Sequence, residues 1–135
     1  MLSPRRRILC AESHDDTCSM INLLLEQQGY EVQSAKTVAE CMELAEQEPF
    51  DLYLLGDRYS DGTGLDLCQH LHRLWPQTPI MFFSAAAYEW NREAGMRAGA
   101  RAYIMKPAEI DQLVATVRRL LFHQKGRAAS EDLSH

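Results

Sequence analysis

A chain of 135 residues with 46% hydrophobic content can bury one substantial core and leaves no room for a second domain of ordinary size. Nineteen acidic against fourteen basic residues give a formal net charge of -5, which sets the chain against the phosphate backbone of nucleic acid and against an anionic membrane as direct partners. No segment approaches the ~20 apolar residues of a membrane span, nothing resembles a signal peptide, and a cytoplasmic location is expected.

Ile8-Leu9-Cys10-Ala11 is an apolar run that empties into Glu12-Ser13-His14-Asp15-Asp16, the pattern of a buried strand ending in a polar loop. The preceding Arg5-Arg6-Arg7 reads as a solvated terminus or a local anion contact. Asp15 or Asp16 can cap a helix over 17–28 that carries Ile21, Leu24 and Leu25 on one face and stops at Gly29. A strand follows over 30–33. Thr37 starts a second helix, with Val38, Cys41, Met42 and Ala45 inward, and Pro49 closes it before a strand over 50–55 that is apolar on both faces.

The stretch 56–64 is rich in turn residues, and the helix after it, with Leu67, Leu71 and Leu74, ends before Pro76. A fourth strand over 79–83 leads through the loop 84–87 to a weaker helix over 88–98 that contains Gly95 and stops at Gly99. A fifth strand spans 100–104. Lys106-Pro107 breaks the chain, and the last helix presents Ile110, Leu113, Val114, Val117, Leu120 and Leu121 at amphipathic spacing. The domain is expected over 1–125, with 126–135 a flexible tail or a shortened linker. Cys10, Cys18, Cys41 and Cys68 show no close pairing in sequence and suit a reducing compartment.

Five strands alternating with five helices imply a parallel sheet covered on both faces, because parallel neighbours need crossovers and these are helical. Such sheets carry their site at the carboxyl ends of the strands. The loops to consider are therefore 12–16, 56–62, 84–87 and Lys106-Pro107.

Asp61-Gly62-Thr63-Gly64-Leu65 after the third strand, Ser84-Ala85 after the fourth, and Gly99-Ala100, Tyr103 and Lys106-Pro107 around the fifth resemble the receiver domain of bacterial response regulators. The likeness runs from Arg7 to about His123. It implies a flavodoxin-like (βα)5 fold with strand order 2-1-3-4-5, two helices on one face and three on the other. It also implies an acidic pair that holds Mg2+, an aspartate after the third strand that accepts a phosphoryl group, a lysine on the phosphoryl oxygens, and a hydroxyl that binds the new phosphate and draws an aromatic inward. Carboxylates and a divalent cation are needed because nucleophile and donor are both anionic. By position, the lysine is Lys106, the hydroxyl Ser84 and the aromatic Tyr103.

Two positions depart from the family. The acceptor position is Gly56, which has no side chain to phosphorylate, and the acidic pair is Glu12 and Ser13, which leaves one carboxylate. No Mg2+ is expected on this reading, and Glu12 and Asp57 are the residues that would hold an ion. Asp57 is a substitute acceptor on paper, yet alternation along an extended strand aims it away from the side of Lys106 and Ser84. A different metal set from Glu12, His14, Asp15, Asp16 and Asp57, a hydrolase using Ser13, His14 and Asp15 or Ser84 with His14, and a flavin or nucleotide carrier are weaker readings. Without phosphate, Lys106 would pair with Glu12 or Asp57. Tyr88, Trp90 and Tyr103 would belong to a partner face, with Tyr59 a further surface aromatic. The expected function is a non-enzymatic, phosphorylation-independent interaction module in a bacterial two-component pathway. Its partner would be a histidine kinase, an effector domain, another regulator or a second copy. The alternatives are a receiver phosphorylated on Asp57 with Mg2+, and a small-molecule or metal sensor using the same cleft.

Overall fold

Two runs that are buried on both faces after the leading Arg7, RILCA at Arg7–Ala11 (β1) and LYLL at Leu52–Leu55 (β3), lie at the centre of a five-stranded sheet, where both faces of a strand are covered. The computed structural model describes residues 5–85, 89–106 and 111–133, the stretch 123–133 as backbone alone. β2 (Glu31–Ala35) pairs with β1 on one side, while β6 (Ile80–Ser84) and β7 (Ala102–Met105) extend the sheet beyond β3, every neighbour parallel. The order β2-β1-β3-β6-β7 is the expected 2-1-3-4-5 once a small hairpin, β4 (Arg58–Tyr59) and β5 (Gly62–Thr63), is set aside. That hairpin reads as loop in sequence, because two-residue strands show no periodicity.

The pleat sorts the core in two. Leu9, Ala11, Tyr53, Leu55, Phe82 and Tyr103 share a face with Cys41 and Ala45 of α2 (Val38–Gln47) and Leu67, Cys68 and Leu71 of α3 (Gly64–Leu74). α4 (Glu89–Arg97) closes this face, its Gly95 backed onto Tyr103 and Phe82. Ile8, Cys10, Leu52, Leu54, Met81, Phe83 and Ile104 face the other way. They pack on Ile21 and Leu25 of α1 (Asp15–Gln27) and on Leu113 and Val117 of α5 (Asp111–Leu133). α5 continues through the domain edge expected at 125.

Several edges differ from the sequence expectation. Asp15 and Asp16 do not cap α1; they occupy its first turn, where negative charge suits the helix dipole, and His14 is the N-cap without a side-chain bond. Thr37 caps α2 as expected, and Asp61 adds a second cap from the hairpin by accepting from the Val38 and Ala39 amides at 2.8 and 3.0 Å. Those amides hold the Asp61 carboxyl below its ordinary range. Two members of the arginine run are held by carboxylates: Arg6 pairs with Asp51 at 3.2 Å, and Arg7 pairs with Glu48 at 3.0 Å while stacking over Phe50, whereas Arg5 is exposed. The cysteines are free and buried, but Cys10 and Cys18 meet across β1 and α1. The neighbouring Cys10 thiol, with Ser34 and Asn22, draws the Cys18 thiol down to about 6.

Tyr53 is fully buried and its hydroxyl has no partner among the described residues. Tyr53→Phe is expected to raise stability by about 1 kcal/mol, since an unsatisfied buried polar group is removed at little change of shape. Urea unfolding with an unchanged m-value checks this. A clear loss of stability would show that the hydroxyl is satisfied.

Candidate functional site

The carboxyl ends of β1, β3, β6 and β7 bring together Glu12, Gly56, Asp57, Ser84, Tyr103 and Lys106, and the pleat divides them into two groups. Ala11 pairs with Leu55, Leu55 with Phe82, and Ser84 with Met105. One step further, Glu12 stands beside Gly56, on the face of Phe83 and Ile104. Two steps beyond Leu55, Asp57 stands beside Ser84, on the face of Phe82 and Tyr103.

The first group is an ion pair. Lys106 Nζ lies 2.6 Å from Glu12 Oε1, its charge 5.4 Å from the centre of the Phe83 ring. The second Glu12 oxygen accepts from the His14 amide at 3.1 Å, so both oxygens of this buried carboxylate are used. Gly56 lies against them: a Cβ built there would stand 3.1 Å from Oε1 and from Oε2. An aspartate at this position would press a second carboxylate onto the first. Ser13, the other acidic-pair position, donates its hydroxyl to the Arg58 carbonyl at 2.9 Å.

The second group is a hydrogen-bonded relay. The Tyr103 hydroxyl donates to Ser84 Oγ at 2.8 Å, Ser84 donates to Asp57 Oδ1, and the Ala85 amide donates to Asp57 Oδ2 at 3.0 Å. The expectation that Asp57 aims away from Ser84 is therefore corrected. It treated Lys106 and Ser84 as one side, whereas the pleat sets them on opposite faces and Asp57 shares the face of Ser84. Burial raises the Asp57 carboxyl above its ordinary value, against the opposing pull of the Ala85 amide and Lys106. Such a shift favours the folded state below the unfolded value, a contribution lost as pH rises through the folded one.

Tyr103 is 5% exposed, its ring 5.5 Å from that of Phe82. It supports the expected partner face from beneath and is not displayed on it, a second correction with the same physical cause. Trp90 on α4 is displayed, at 64% exposure. Tyr88 and Pro107 lie outside the described residues. Tyr59, expected at the surface, is buried; its hydroxyl accepts from the Gly56 amide at 2.9 Å and donates to the Ala11 carbonyl at 2.7 Å. Backbone partners leave no trace in sequence, and nothing there marked Tyr59 as part of the site.

Glu12 already holds an ammonium and an amide, Asp57 a hydroxyl and an amide, and Asp15 pairs with Lys36 outside the cleft. Among the described residues no three His, Cys, Asp or Glu side chains are grouped to hold a metal. Ser13 is turned to Arg58 and not to His14, so no nucleophile and base are formed there. The cleft beside Asp57, lined by Thr63, Phe82, Asn91 and Tyr103, has a volume of about 180 Å³, below the ~300 Å³ at which small-molecule pockets begin.

A sequence model of the response regulator receiver domain matches residues 8–118. Response regulator protein PilR of Pseudomonas aeruginosa is 34% identical over 86% of this chain and 27% of its own length. A probable transcriptional regulatory protein of Picosynechococcus is 35% identical over 92% of this chain and 52% of its own. The chain thus spans about a quarter of one relative and about half of the other. Among solved structures, a CheY-like receiver domain protein from Methanospirillum hungatei superposes with a TM-score of 0.86 at 30% identity, covering 92% of this chain and 99% of that one. The non-phosphorylated HemR receiver domain from Leptospira biflexa gives 0.80 at 31% identity, covering 87% and 94%.

Proposed function

The chain belongs to the response regulator receiver domain family, and from that premise we propose that it serves two-component signalling as a receiver that presents its partner surface without being phosphorylated. The observation that carries this reading is Gly56 packed against the Glu12–Lys106 pair. The position that would bear phosphate has no side chain, and the lysine that would contact phosphate is bound to a carboxylate. The same residues support a role without Mg2+ and without catalysis. The partner is a histidine kinase, an effector domain, another regulator or a second copy of the chain, met in the cytoplasm of a bacterium. The net charge of -5 opposes direct contact with nucleic acid or membrane, and among the described residues no helix is long and apolar enough to cross a bilayer.

One observation favours a second reading, phosphorylation of Asp57: its side chain enters the cleft. Incubation with Mg2+ and acetyl phosphate, followed by intact mass, separates the two. The expected result is no phosphoryl increment and no response to beryllofluoride. An increment that Asp57→Asn abolishes would make Asp57 the acceptor.

A further inference from the structure

We propose that the Asp57 carboxylate is an internal stand-in for the phosphoryl group, holding Ser84, Ala85 and Tyr103 in the arrangement that an added phosphate would otherwise impose. The inference deepens the phosphorylation-independent reading and rests on it. Three features point this way. Asp57 presents two anionic oxygens to the Ser84 hydroxyl and the Ala85 amide, the donors that lie beside the acceptor position at the end of β6. Its own backbone is fixed, because the Gly64 amide donates to the Asp57 carbonyl at 2.8 Å, so the side chain starts from an anchored base. Tyr103 is already inside, bonded to the same hydroxyl that Asp57 accepts from.

The chain of bonds has a direction. A hydroxyl that donates to an anion becomes a better acceptor, so Asp57 strengthens the bond that Ser84 receives from Tyr103. Tyr103 backs α4 through Gly95, where a Cβ would stand 3.2 Å from its ring. Holding Tyr103 inward therefore fixes the seat of α4 and, with it, the placement of exposed Trp90. Lys106 is not required for this, since it is engaged on the other face by Glu12. The two faces divide what one phosphate site does elsewhere in the family: one satisfies the lysine, the other sets the hydroxyl and the aromatic.

The test uses the full chain with carbon-13-labelled tyrosine, the Tyr103 ring signal being identified by its disappearance in Tyr103→Phe. Asp57→Ala is expected to lower the inward-to-outward ratio of Tyr103 roughly tenfold, the loss of a charge-assisted hydrogen bond. Asp57→Asn, which keeps an acceptor oxygen, is expected to fall between. Asp57→Ala made in a Ser84→Ala background is expected to add nothing, because the relay runs through that hydroxyl. Tyr103 unmoved by Asp57→Ala, or moved equally with and without the Ser84 hydroxyl, would overturn the proposal. Should Asp57→Ala not fold cooperatively, Asp57→Asn carries the test alone, and an unmoved Tyr103 there overturns it. Intact mass of the native sample after acetyl phosphate reports only on the phosphorylation-independent reading, and the Tyr103 ring only on the stand-in.

Discussion

Lys106→Met is expected to destabilise the domain by roughly 3–5 kcal/mol, the cost of leaving a buried charge without its partner. The Glu12 side chain is 5% exposed, and once the ammonium is gone it keeps, among the described residues, only the His14 amide. Its short stem leaves the carboxylate no route to water. Glu12→Gln is expected to cost less, about 1–2 kcal/mol, because the Lys106 side chain is 20% exposed and its long stem lets the ammonium reach solvent. The double variant should recover much of the loss, since neither charge is then stranded. Urea unfolding of the three variants measures the asymmetry. Equal costs for the two single variants would mean that the pair is solvated and does not define the closed acceptor position.

Gly64→Ala has the other large effect. A Cβ at Gly64 would stand 2.2 Å from the Gly56 carbonyl oxygen and 2.9 Å from Phe82 Cε1. Neither neighbour is the loose end of a side chain. The backbone must separate where the β3 exit crosses the start of α3, at a cost of about 3 kcal/mol, the upper end of ordinary overpacking. The same movement pulls on the Gly64 amide that anchors Asp57, so Tyr103 should loosen together with the fall in stability. Gly29→Ala serves as the control. Gly29 has φ of +92° with nothing within 4 Å of the added Cβ, so the left-handed backbone alone contributes, about 1 kcal/mol. Thermal unfolding ranks the pair, and a Gly29 effect as large as that at Gly64 would remove the close-approach account.

The parallel sheet was legible because 8–11, Leu52–Leu55 and 80–83 are apolar runs and because glycine, proline and capping residues mark the helix ends between them, while the strand order came from the resemblance to the receiver family. The positions of the site were legible for a different reason: Asp61-Gly62, Ser84-Ala85 and Lys106-Pro107 fix the register of the family pattern on this chain. Which face each side chain takes was not. Alternation was applied to Asp57 but not to Ser84 and Lys106, and only the pairing of β3 with β6 and of β6 with β7 shows that these two diverge. Tyr59 was missed because its partners are the Gly56 amide and the Ala11 carbonyl, groups that every residue but proline carries. Asp61 reads in sequence as a turn residue. Its second role, closing the start of α2, depends on a hairpin too short to be seen in the pattern.

The carboxylate held by Ser84 and Ala85 is part of the polypeptide. A phosphoryl group is added by one enzyme and hydrolysed away in its own time, so its dwell is set by chemistry at the aspartate. An anion written into the gene has no such clock. On the proposed reading, a cell would tune this receiver through how much of the chain it makes and how soon it degrades it, and the strength of the message would become a matter of copy number.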